Sequence, residues 1–258
     1  HLVLRRQRQM CIRDRSLMRA LAQEEARLQP LQGRERSASA DAPRHATLAV
    51  GHRSRPLRLE RWIPQSPRSD QTWVLMMPGL GGDPNHFHWL ARSLMQAGWP
   101  VLVLEHPGSD AAAVQGLLEG RQSFDGAAAL RDRLADLAAV LEAQQRGDLN
   151  IPGNEVVLMG HSLGALTALL ASGAELVPGM AQRCEAALAG LPLTNLSELL
   201  QCELAAGRVL ESKAMDPPPR AVVGLNSFGG LIWPHRASRA LPILSLIHIS
   251  EPTRLSAI

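Results

Sequence analysis

An α/β domain built on a mostly parallel, doubly wound sheet is the fold class that three features of the sequence predict. Apolar runs of strand length, such as Thr72-Trp73-Val74-Leu75-Met76-Met77, alternate with segments of helical spacing, the pattern of a sheet buried on both faces. One run ends at Gly160 and passes through Ser162 and Gly164 into small and apolar residues, so that a strand, a sharp turn and a helix follow one another. The third feature is size: 258 residues, 45% of them hydrophobic and 20% charged, suffice for one large core.

Taken in order, residues 1–16 are Arg-rich, and both 10–15 and 245–254 resemble translated sequencing-adaptor read-through. Residues 1–45 are accordingly an arm and linker whose start is foreign, 46–246 the domain, cut short at its C-terminal end, and 247–258 a foreign tail. Within the arm, 17–31 has helical spacing and 32–44 reads as a Ser/Ala/Arg linker. Residues 46–50 and 57–64 are two strands around Gly51-His52-Arg53-Ser54, an antiparallel hairpin that opens the sheet. The buried strand 72–77 runs into Pro78-Gly79-Leu80-Gly81-Gly82; a helix over 87–97 and a strand over 100–105 complete a βαβ unit, which fixes a parallel sheet. An amphipathic helix over 126–146 precedes the strand and helix around Ser162. Residues 175–219 form a helical insertion, either a lid over the active edge or helices packed on the sheet margin. Strands at 220–226 and from 242 onward end the pattern.

Charge is unevenly spread. Residues 1–68 hold 15 of the 27 basic residues against 6 acidic ones, so the body is acidic despite the overall +3. Without aromatic interleaving or a nucleic-acid motif, the basic arm reads as a solvated face and nucleic acid is not an expected partner. No run has the length to span a bilayer and no signal peptide is visible, so a cytoplasmic protein is expected. Cys11, Cys184 and Cys202 fit no metal site; Cys184 and Cys202 are expected as buried free thiols, with pairing in an oxidising compartment as the alternative. No cofactor or metal is implied.

The chemistry centres on Gly160-His161-Ser162-Leu163-Gly164, a G-x-S-x-G nucleophile elbow. Flanking glycines leave room for a strained turn that lifts Ser162 off the sheet, and the helix behind it aims the Leu163 N–H at an oxyanion. A tight turn carrying an ordinary serine is the bland alternative. With Pro78-Gly79-Leu80-Gly81-Gly82 and His106-Pro107-Gly108, this motif resembles the α/β-hydrolase superfamily, in its dienelactone-hydrolase-like and serine esterase branch. The resemblance implies that the loop after the third strand supplies a second oxyanion donor. Here that is the Leu80 N–H, with Pro78 where the family more often has His. Two such donors are worth about 3 kcal/mol each.

The resemblance also implies an acid and then a His after the nucleophile, to orient the base and take the serine proton. No Asp follows the last strand, and His248 falls in the adaptor-like segment. Asp216 and His235 have the right order but poor surroundings; His86, His106 and Asn226 are candidate substrate contacts, and His161 a packing residue. The expectation is a serine esterase or lipase-like hydrolase of carboxylic esters, acting through an acyl-serine and inactive as truncated. Dienelactone hydrolases proper use Cys, so Ser162 points to the esterase side, and the Leu- and Ala-rich insertion favours an apolar acyl group. A non-catalytic scaffold of the same fold is the alternative.

Overall fold

The computed structural model describes residues 42–121, 123–175, 177–189, 196–205, 214–227, 229–233 and 244–247. Every described residue belongs to one compact unit, 42–258. The helix expected over 17–31, the adaptor-like stretch 10–15 and the part of the other adaptor-like stretch beyond Ile247 lie outside the described residues.

Among the described residues seven strands form one sheet in the order β1-β2-β4-β3-β5-β6-β7. They are β1 (Arg44–Leu48), β2 (Leu57–Trp62), β3 (Thr72–Met77), β4 (Val101–Glu105), β5 (Glu155–His161), β6 (Ala221–Leu225) and β7 (Leu244–Ile247). β2 pairs antiparallel with β1 and with β4, and all other neighbours are parallel. β1 lies two residues earlier than its apolar pattern suggests, because Arg44 and His45 already pair with Arg61 and Glu60, while Val50 turns back to accept from the Arg53 N–H at 3.4 Å. β7 reaches Ile247, opposite Gly224, one residue into the segment expected as tail.

The helices of the described residues are α1 (His88–Gln96), α2 (Ala111–Leu118), α3 (Gly126–Gln145), α4 (Leu163–Ala171), α5 (Met180–Ala189) and α6 (Leu196–Ala205). A 3₁₀ turn, Pro84–Phe87, leads into α1; the Asp83 side chain accepts from the Asn85 N–H at 2.8 Å and so starts it. α2 was not expected from the sequence. Asp110 caps it, accepting from the Ala113 N–H at 2.8 Å.

Alternation along β3 explains why the run is apolar throughout. Trp73, Leu75 and Met77 join Leu137 and Val140 of α3 and Ala168 of α4 on one face, while Val74 and Met76 join Ala91 and Met95 of α1 on the other. Helices therefore cover both faces, as a doubly wound sheet requires. α4 is buried along its whole length, which is why it lacks a polar stripe.

One expectation is corrected in the insertion. Cys184 of α5 and Cys202 of α6 are joined by a disulfide, with Cα atoms 5.5 Å apart, rather than standing as free thiols. The two helices pack side by side and bring positions 18 residues apart into bonding reach, which their linear spacing could not show.

Candidate active site

β5 delivers the chain to Ser162, and α4 takes it away. Between them Ser162 has φ 51° and ψ −117°, a left-handed conformation that L-residues avoid and that stores about 1–3 kcal/mol of strain. The turn is held by backbone bonds: the Ser162 N–H donates to Leu225 O of β6 at 3.0 Å, and Ser162 O accepts from Ala165 and Leu166 at 3.0 and 3.2 Å. The serine side chain does not cap the helix, so its hydroxyl remains free of that duty. Leu163 opens α4, where the first N–H groups have no partner inside the helix.

Backbone crowding explains both glycines. A Cβ on Gly160 would lie 2.2 Å from the Gly164 carbonyl, and one on Gly164 would lie 2.0 Å from Met77 O. Those clashes involve main chain, which has nowhere to move.

The loop after β3 lies directly against this turn. A Cβ on Gly79 would fall 3.0 Å from Ser162 Cβ and 3.2 Å from His161 Nδ1. Further along, the Gly81 N–H donates to Ser109 O at 2.8 Å and the Gly82 N–H to Gly79 O at 3.1 Å. The N–H of Leu80, between those two anchored peptides, has no hydrogen-bond partner among the described residues.

Beneath the loop is a buried polar network that the sequence reading missed. Arg133 of α3, 1% exposed, donates to Pro78 O, to Ser109 Oγ at 2.8 Å and to Thr167 Oγ1 at 3.2 Å. One turn on, the fully buried Asp136 accepts from His52 Nε2 at 2.8 Å, from Arg53 Nε and Nη2 at 2.8 and 2.6 Å, and from His106 Nδ1 at 2.9 Å. Burial pushes the Asp136 carboxyl upward, but the bonds from His106 and Arg53 outweigh it and hold the group down at about 2. For His106, burial and then the Arg133 charge push the pKa down to about 3, against the pull of Asp136. That ring is neutral at physiological pH. Burial lowers Arg133 to about 9, with Asp136 opposing, which still leaves the guanidinium charged at pH 7.

The sequence contains a signal for this network. Leu130, Arg133, Leu137 and Val140 follow the 3-4-3 spacing of an inward helical stripe, and an arginine on such a stripe marks a charge that must find buried partners.

The other candidate residues fall in varied places. His86 is exposed on the 3₁₀ turn, and His161 packs on Phe87, ring centroids 5.9 Å apart, with its pKa lowered by burial. Asn226 is exposed at the end of β6, in a left-handed conformation at φ 48°, directly after the residue that accepts the Ser162 N–H. His106 is buried at 2% exposure and turned to Asp136. Asp216 lies at the opposite edge of the sheet, in the segment before β6 with Arg220 and Glu155, away from Ser162. Of the remaining described histidines, His52 bonds Asp136, while His45 and His88 face Glu60 at 3.8 and 2.8 Å. His235 and His248 lie outside the described residues. No group of His, Cys, Asp or Glu among the described residues is arranged to hold a metal ion.

A cleft of about 240 Å³ opens beside Leu80, lined by Val114, Leu117, Phe124, Ala128, Arg53 and Asp132. Two larger cavities, of about 620 and 650 Å³, lie off the serine: one between Arg58 of β2 and Pro84, the other at the edge of the sheet that holds Asp216.

No protein-family model and no curated protein matches the chain. Among solved structures it is similar to the apo form of Thermogutta terrifontis esterase 2, at 16% identity over 72% of this chain and 56% of that one, with a TM-score of 0.41. It is likewise similar to Est1E from Butyrivibrio proteoclasticus, at 12% identity over 71% and 51% of the two chains, TM-score 0.41. The alignment thus spans little more than half the length of each of those esterases. Among the described residues no helix is long and apolar enough to cross a membrane.

Proposed function

We propose that the chain carries the nucleophile half of a serine hydrolase of α/β-hydrolase type, acting on carboxylic esters. The observation that carries this reading is the strained Ser162 between two glycines that main-chain atoms forbid to be anything else, beside a glycine loop packed on its Cβ. A scaffold has no use for a turn that stores strain under a free hydroxyl. In the reaction, Ser162 Oγ attacks the ester carbonyl, its proton passes to water or a base, and the carbonyl oxygen becomes an oxyanion. The N–H groups of Leu80 and Leu163 receive that charge; the C–O bond then breaks to release the alcohol and leave an acyl-serine, which water hydrolyses.

Slow turnover is the expected behaviour of this arrangement: among the described histidines His52 and His106 bond Asp136, His45 and His88 face Glu60, and His161 packs on Phe87. Oxyanion donors alone sustain a residual rate, about 10³-fold over water in comparable hydrolases stripped of their base. Met180 of α5 and Leu200 of α6 pack on the apolar cluster that includes Leu80 and Leu163, which favours reading the insertion as a cover over the site.

Acetylation by 4-nitrophenyl acetate, mapped by mass spectrometry, tests the reading. One acetyl group on Ser162, accumulating slowly and absent from Ser162→Ala, is the expected result. Acetylation scattered over other residues, at the same rate in both proteins, would favour a non-catalytic binding or scaffold role. A turnover above about 1 s⁻¹, the range of complete enzymes, would instead show that a base reaches Ser162.

A further inference from the structure

The Arg133 guanidinium touches three separate segments of the site, and none of them is its own helix. Its acceptors are the carbonyl of Pro78 at the start of the glycine loop, the hydroxyl of Ser109 after β4, and the hydroxyl of Thr167 in α4. We propose that Arg133 is a positioning residue that holds both oxyanion donors in register with Ser162. This rests on the reading of Ser162 as nucleophile with Leu80 and Leu163 as donors.

The argument follows the peptide planes. A planar trans peptide points its C=O and N–H in opposite directions, so fixing one fixes the other. Three successive planes make up the loop. Arg133 holds the first through Pro78 O, the Gly82 N–H holds the second through Gly79 O, and Ser109 O holds the third through the Gly81 N–H. In the second plane the Leu80 N–H points away from the bonded Gly79 O, which leaves it available as a donor.

Arg133 governs the third plane as well, since it anchors Ser109 through the side chain whose backbone carbonyl holds Gly81. Its remaining bond goes to Thr167 Oγ1, which itself donates to Leu163 O at 2.8 Å in the first turn of α4. One rigid, buried fork thus ties the loop bearing Leu80 to the helix start bearing Leu163. A lysine has no planar fork and cannot reach three such acceptors at once.

Stopped-flow acylation of Ser162 by 4-nitrophenyl acetate in the full chain tests this, with the acylation rate constant and the apparent substrate affinity measured separately and the folded fraction set by urea denaturation. For folded Arg133→Lys we expect acylation slower by about tenfold or more, with affinity unchanged, because donors misplaced by a fraction of an ångström weaken transition-state contacts before ground-state ones. Ser109→Ala, which removes one acceptor of the fork, should show a smaller loss of the same kind, and it carries the test if Arg133→Lys does not fold. Leu80→Pro deletes the donor itself; it should slow acylation, and adding Arg133→Lys to it should cost less than in the parent, because both act on one group. If Leu80→Pro slows acylation while Arg133→Lys and Ser109→Ala stay within twofold of the parent, the positioning role is overturned and the reading of the site survives. If Leu80→Pro leaves the rate unchanged, the assignment of Leu80 as donor falls, and the role of Arg133 with it.

Discussion

The two halves of the site, the turn at Ser162 and the loop at Leu80, reach a comparable result by opposite means. The turn is shaped from within: its glycines meet the backbone of their own elbow and of the adjoining β3, and a side chain at Gly160 or Gly164 has no room. The loop is shaped from outside, by an arginine on α3 and a carbonyl after β4. A local turn of this kind survives changes elsewhere and fails when its own residues change; a loop held from a distance does the reverse.

The largest expected effect is at the turn. Gly164→Ala places a Cβ 2.0 Å from Met77 O, and we expect a loss of about 4 kcal/mol or more, or no folding, by urea denaturation. A loss below about 1 kcal/mol would mean that the turn is not self-shaped. Next comes the centre of the network. Asp136→Asn strips the counter-charge from Arg53 and Arg133 in a buried site and should cost about 3–5 kcal/mol, without altering the elbow.

A pH titration probes the same network more gently. An unfolded histidine takes up its proton near 6.5, whereas His106 in the fold resists to about 3, so the unfolded chain binds the extra proton throughout that window. Stability therefore falls as pH drops from 6.5 toward 3, by up to about 1.4 kcal/mol per unit. Asp136, held at about 2 against an ordinary 3.8, adds a further loss between those two values. Urea midpoints should show this slope above pH 4.5 in the parent and most of it should vanish in His106→Asn, where only the half-buried His161 still resists protonation. The smallest effect on stability is expected from Gly79→Ala, whose Cβ would sit 3.0 Å from Ser162 Cβ. A shift of a few tenths of an ångström accommodates it, at about 1 kcal/mol or less, while acylation of Ser162 slows by about tenfold.

The same contrast decides what could be read from the sequence. Ser162 and its glycines announce themselves within five residues, and the apolar run of β3 is legible because both of its faces are buried. The Leu80 loop could be located, but what holds it could not, since Arg133 is 55 residues away from Pro78 and Ser109 is 24 from Arg133. α2 was missed although Asp110 and three alanines spell a capped start; its mid-helix Gly116 and short length obscured the pattern. The disulfide depends on how α5 and α6 pack, information that spacing does not contain. His106 reads as a substrate contact because it follows a strand toward the active edge, but the acceptor that draws it inward sits 30 residues on.

Strand order has a consequence for anyone wishing to move this chemistry elsewhere. After β4 the chain returns across β3 to reach β5, and α3 makes that crossing. Arg133 and Asp136 thus ride on the connection itself, beneath the loop of the strand being crossed. A graft of residues 155–171 into another α/β scaffold would transfer the proposed nucleophile with only one of its two proposed donors. The smallest transplantable unit runs from β3 through β6, whose Leu225 O holds the Ser162 N–H, and its crossing helix is part of the cargo.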